Sequence, residues 1–179
     1  MTPLVLPTRN LAERHIGLTP EIASYYLQAA SVCLSQHHLP PTIFTLQENF
    51  ATRPAIVEWE MPSERHLAAW ANQNDATEAA AYVLALATVE MTKGLVAVCR
   101  AETRTGVDYY SETVGPAENL EDWIRLEVSG THLDELEVNN RVRQKVRQGL
   151  KVQSKLPALV VVVGFRLRVI VLRQVEEEI

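Results

Sequence analysis

The chain has 179 residues, 47% of them hydrophobic and 22% charged, the balance of one globular domain with a buried core, which excludes a disordered or fibrous chain. Its longest apolar run, residues 157–163, is far short of the ~20 residues that span a bilayer, and residues 1–10 lack a basic stretch followed by an apolar one, so a cytoplasmic protein with no membrane contact is expected. The net charge of −5 argues against a nucleic-acid partner only if it is evenly spread, and it is not: residues 139–173 hold nine basic side chains and no acid, a local +9, while the rest carries 8 basic and 22 acidic groups, or −14.

Thr19-Pro20-Glu21 starts the first predicted helix, with a capping hydroxyl, proline in the first turn and an acid near the positive end of the dipole; it runs to about Ser35. After a His-His-Leu-Pro-Pro loop come two short strands, at 42–47 and 55–60, and then a short helix capped by Ser63 and reaching Trp70. Asn74 or Asp75 opens an Ala-rich helix over 76–91, closed by Lys93-Gly94. Strands are expected at 95–101 and 107–114, joined through Arg104-Thr105-Gly106, and a loop containing Gly115-Pro116 leads to a third at 123–129. A long helix covers 133 to about 152, with Val138, Val142 and Val146 on its apolar stripe. Residues 158–165 read as a strand covered on both faces, and residues 167–175 alternate like an edge strand. The fold class is α/β: residues 1–72 supply a helix and short strands packing on a core of residues 73–179 with a mixed central sheet, all within one globular unit.

Much of the reactive chemistry is quiet. Cys33 and Cys99 sit in apolar surroundings without a partner at metal-ligand spacing, the pattern of buried free thiols. His37 and His38 precede Pro40-Pro41 in a loop, no histidine forms an i, i+4 pair with a glutamate, and there is no Gly-rich phosphate loop.

The carboxylates say more. On the third core strand Trp123, Arg125, Glu127 and Ser129 share a face, and on the preceding strand Asp108 and Tyr110 do. Antiparallel pairing of these neighbours brings Asp108 close to Glu127, and two adjacent carboxylates repel unless a cation lies between them, for which Mg²⁺ or Mn²⁺ is the natural choice. The ordinary alternative is that Asp108 is a turn residue after Gly106 and Glu127 pairs with Arg125 or Arg141 at a sheet rim. Lys145 falls inside the apolar arc of its helix, between Val138, Val142 and Gly149, where it either meets the carboxylates or runs its stem out to the rim. Glu78, in the first turn of the Ala-rich helix, is a third acid that the helix dipole explains equally well. Arg141, Arg143, Arg147 and Lys151, on the basic helix 139–155, are the candidate nucleic-acid contacts, a solvated basic face being the alternative. The mildly acidic N-terminal region offers a surface for a homodimer or protein partner through Trp59 and Trp70, unless those rings pack in the core.

The order of elements, with Gly106-Val107-Asp108-Tyr109-Tyr110 and Arg125-Leu126-Glu127-Val128-Ser129-Gly130, resembles the PD-(D/E)XK, or restriction-endonuclease-like, nuclease superfamily over residues 75–175. The resemblance implies a core of helix, three strands, helix and strand, with Mg²⁺ or Mn²⁺ held by Asp108 and Glu127 and with Glu78 added from the first helix. It implies hydrolysis of nucleic-acid phosphodiesters, of DNA above all, by a nuclease or by a subunit of a defence or DNA-processing system. Two positions depart from the pattern: Ser129 stands where the motif has lysine, and no proline precedes Asp108. A neutral serine cannot supply the positive charge wanted beside a phosphate. The role then passes to Lys145 on the following helix, as in members that move it there, with Arg141 and Gln148 one turn either side. Without that migration the chain is a catalytically inactive nuclease fold that binds protein or nucleic acid.

Overall fold

The computed structural model describes residues 2–102, 107–113, 123–152 and 154–175, so the connections through Arg104-Thr105-Gly106 and Gly115-Pro116 lie outside the described residues. Helix starts follow from short polar side chains that take otherwise orphaned N–H groups. Helix α2 (Pro20–Ser35) follows α1 (Leu11–Arg14) and is capped by Thr19, whose hydroxyl accepts from the Ile22 N–H at 3.3 Å. After the short α3 (Glu64–Ala69), α4 (Gln73–Lys93) starts earlier than expected. In the polar run Asn72-Gln73-Asn74-Asp75 the cap is Asn72, which accepts from the N–H groups of both Asn74 and Asp75. This helix stops at Gly94, in the left-handed region at φ +63°. Asp134 caps α5 (Glu135–Lys151) by accepting from the Glu137 N–H, with acids in the first turn and a lysine in the last, as the dipole favours.

Among the described residues eight strands form one mixed sheet: β1 (Leu4–Val5), β2 (Thr42–Glu48), β3 (Ala51–Val57), β4 (Leu95–Arg100), β5 (Tyr109–Thr113), β6 (Ile124–Thr131), β7 (Ala158–Gly164) and β8 (Val169–Val175). Their spatial order is β1-β3-β2-β8-β7-β6-β5-β4. Strands β4, β5 and β6 run antiparallel, α5 carries the chain over to β7 parallel to β6, and β8 returns antiparallel.

Two strand expectations are corrected. β8 is interior, because β2 pairs with it in parallel along Val169 to Leu172, all four of which are buried; the alternation of an edge strand survives only beyond Leu172. β3 starts at Ala51 and includes Pro54, which lies opposite Thr45. The Thr45 N–H points away to Arg168 O on the β8 side, so the proline nitrogen faces the other edge, where β1 reaches only Ala55 and Ile56. A missing donor costs nothing there.

Helix α4 packs on one face of the sheet with α2 laid against it, and α5 covers β6 to β8 on the other, giving a main core and a smaller one of Val138, Val160, Val162, Val169 and Val171 beneath α5. β7 is buried at every position between these layers, as its β-branched run requires. An added Cβ at Gly130 would stand 3.0 Å from Thr77 O and 3.1 Å from Ala81 Cβ, so the glycine is what lets α4 lie close on β6. Trp59 and Trp70 are each 8% exposed and belong to the main core, which removes them as docking residues. Cys33 is buried, Cys99 half-buried, and both are free thiols. Among the described residues no helix is long and apolar enough to cross a membrane.

Candidate active site

The β5–β6 register, Tyr109 opposite Leu126, sets Asp108 opposite Glu127 one step further on, and directly opposed residues of an antiparallel pair share a face. Asp108 stands at the mouth of β5 rather than within it. Its N–H donates to Leu126 O at 3.0 Å and its carbonyl accepts from the Ala101 N–H at 3.1 Å. Where the main-chain pairing with β6 stops, the Asp108 side chain takes over: Oδ2 accepts from the Val128 N–H at 2.7 Å. Helix α4 reaches the same carboxylate through the Tyr82 hydroxyl, which donates to Oδ1 at 2.9 Å. Helix α5 reaches it through Lys145, whose Nζ stands 3.5 Å from Asp108 Oδ2 and 3.6 Å from Glu127 Oε2. Of its two sequence alternatives Lys145 takes the inward one, bridging the two acids.

Glu127 is wholly buried, and neither of its oxygens accepts a hydrogen bond. Burial pushes its carboxyl up to about 7, against the pull of the Lys145 ammonium and with the Asp108 carboxylate adding to the rise. The rim pairing weighed for it does not form. Arg125 is buried and donates to Leu156 O and Gly149 O, each at 3.1 Å. Arg141 pairs with Glu137 at 2.8 Å and donates to Ser129 Oγ at 3.2 Å.

A cavity of about 640 Å³ opens beside these groups, with Asp108, Ser129, Arg141 and Lys145 on one wall and Thr77 and Glu78 on the other. Glu127 is not on that wall but behind it. Glu78 is the sixth residue of α4, past the first turn in which it was expected, so the dipole accounts for it less well. Among the described residues no three His, Cys, Asp or Glu side chains gather as a set of metal ligands, so Glu78 lines the cavity without joining the other two acids. The donor chemistry of the remaining pair nevertheless suits a hard divalent cation. Asp108 accepts from Tyr82 at Oδ1 and from Val128 and Lys145 at Oδ2, which leaves a lone pair free on Oδ1, and Glu127 spends none in hydrogen bonding.

Arg143, Arg147 and Lys151 are exposed on the outer face of α5, around a second hollow of about 460 Å³ shared with Asn140, Gln144 and Gln148. Arg141 faces the first cavity instead. Two groups at the site escaped the sequence reading. Tyr82 is one, and its only sequence signal is a place one turn after Glu78 on the same face of the helix. The other is His132, on the cavity wall, which shares a 2.8 Å hydrogen bond with His37 and stacks on Phe165 with ring centroids 5.0 Å apart. Burial, with the neighbouring His37 adding, pulls His132 down to about 4 and keeps it neutral.

No protein-family model, no curated protein and no solved structure matches the chain.

Proposed function

We propose that the protein is a divalent-metal-dependent phosphodiester hydrolase acting on nucleic acid, DNA in the first instance. Its core would be restriction-endonuclease-like, made of α4, β4, β5, β6, α5 and β7, an order that supports the family resemblance. The observation that carries the reading is the meeting of Asp108 and Glu127, from neighbouring strands, with Lys145 from the following helix, at 3.5 and 3.6 Å. Asp108 and Glu127 are the residues that would hold Mg²⁺ or Mn²⁺; when bound, such an ion lowers the pKa of a water and polarises the phosphate. Lys145 neutralises charge that grows on the phosphate oxygens, a role Ser129 cannot take. Ser129 instead accepts from Arg141 and holds that guanidinium at the cavity wall. Arg143, Arg147 and Lys151 supply backbone phosphate contacts that carry no sequence information. The expected outcome is cleavage of DNA that needs Mg²⁺ or Mn²⁺ and is abolished by Asp108→Ala and by Glu127→Ala. Cutting that persists in both variants overturns the assignment.

A second reading has its own support. Lys145 already balances the acid pair and shields Glu127, and Glu78 stays apart, which suits a catalytically inactive binding module whose ion cluster is structural. Calorimetric titration with Mn²⁺ separates the two: no binding at millimolar concentration selects the inactive module.

A further inference from the structure

We infer that Arg100, acting through Tyr82, is a positioning residue that fixes the Asp108 carboxylate in one orientation for a cation. The inference rests on the metal-binding reading above. A guanidinium can only donate. Arg100, the last residue of β4, donates through Nη1 to the Tyr26 hydroxyl and through Nη2 to the Tyr82 hydroxyl at 3.3 Å. Each tyrosine oxygen therefore accepts from Arg100 and must send its own proton elsewhere. Tyr82 sends it to Asp108 Oδ1 at 2.9 Å, while the Tyr26 and Tyr109 hydroxyls share a 2.7 Å hydrogen bond in which either can donate. One cation thus heads two hydroxyl branches, and only the one through Tyr82 ends on the site.

The geometry leaves Tyr82 little freedom. Its ring is buried, with the Arg100 guanidinium 5.0 Å above its centroid, Tyr26 tilted against it at 4.9 Å and Tyr109 edge-on at 5.5 Å. Burial also raises the Tyr82 phenol above its ordinary value, so it remains a donor. With Tyr82 on Oδ1 and the Val128 N–H on Oδ2, the Asp108 carboxylate cannot rotate without breaking a bond on one side or the other. Outer partners of this kind typically change metal affinity by about 10-fold or more when removed.

The test is calorimetric titration of Mn²⁺ into the full chain and three variants. Tyr82→Phe keeps the ring and its packing and deletes only the hydroxyl; its Mn²⁺ affinity is expected to fall about 10-fold. Tyr26→Phe makes the same deletion on the branch that ends at Tyr109, and its affinity is expected to stay at the wild-type value. Arg100→Gln removes the cation at the head of the chain and is expected to fall between the two, so it decides the matter should Tyr82→Phe fail to fold. Unchanged affinity in Tyr82→Phe and Arg100→Gln, or an equal loss in Tyr26→Phe, overturns the inference and leaves the metal reading standing. Wild-type protein that binds no Mn²⁺ overturns both.

Discussion

At Glu127 burial and the Lys145 ammonium act in opposite directions, and burial prevails: the carboxyl is pushed from its ordinary value of 4.5 up to about 7 in the folded chain. A raised carboxyl pKa means that between these values the folded state keeps a proton the unfolded state has lost. Its contribution to stability is therefore full below pH 4.5 and declines as pH rises through 7. At 1.36 kcal/mol per unit, the loss between pH 5 and pH 8 is about 2 to 3 kcal/mol. Glu127→Gln cannot ionise, so in urea unfolding it is expected to lack that decline; parallel pH profiles would assign the effect to another group. The meeting of Asp108 with Glu127 was legible because it needs only two neighbouring strands and the alternation of faces. The Tyr82 contact was not, since it joins a helix to a strand 26 residues on. It also needs the close approach of the helix to β6 that Gly130 allows beside Thr77 and Ala81. The pairing of His37 with His132 spans 95 residues and left no local trace.

Helix α5 is the element on which structure and proposed function coincide. Val138, Val142 and Val146 seat it on β7 and β8, Lys145 leaves the edge of that apolar arc for the acids, and the outer face presents Arg143, Arg147 and Lys151. Those three are spread over three turns and are exposed, so their charge can be removed without disturbing the core. Replacing all three by glutamine is expected to weaken DNA binding across sequences and to lower the slope of log affinity against log salt by about 3, one unit per lost contact. Fluorescence anisotropy over a salt series measures both, and an unchanged slope would move the binding face elsewhere. Periodicity exposed this helix, the Ala-rich α4 and the buried strand β7. It misjudged β8, whose burial depends on a partner strand from the far end of the chain. The cap of α4 was misplaced for a different reason: Asn72, Asn74 and Asp75 are all good caps, and only the path of the chain from α3 selects among them.

For the molecule as a whole, α4 is the decisive element. It is buried at nearly every position from Ala76 to Val89, lying between α2 and the sheet. A helix that is apolar all round is stable only when covered all round. A fragment of residues 73–179 lacks α2 and is expected to aggregate or to show loose tertiary packing in near-ultraviolet circular dichroism and gel filtration. A well-packed monomer would show that the first seventy-odd residues are dispensable. Their place was the least legible part of the sequence, because a strand as short as β1, or one that carries a proline as β3 does, takes its meaning from the neighbours it finds. The parallel pairing of Leu46 with Ile170 also bears on how the chain assembles during synthesis. β2 leaves the ribosome well before β8 exists, and until then its edge has no lasting partner. The nascent chain must carry an unfinished template through most of translation, so closure of the sheet is a late event and premature pairing with a second nascent chain is the hazard that competes with it.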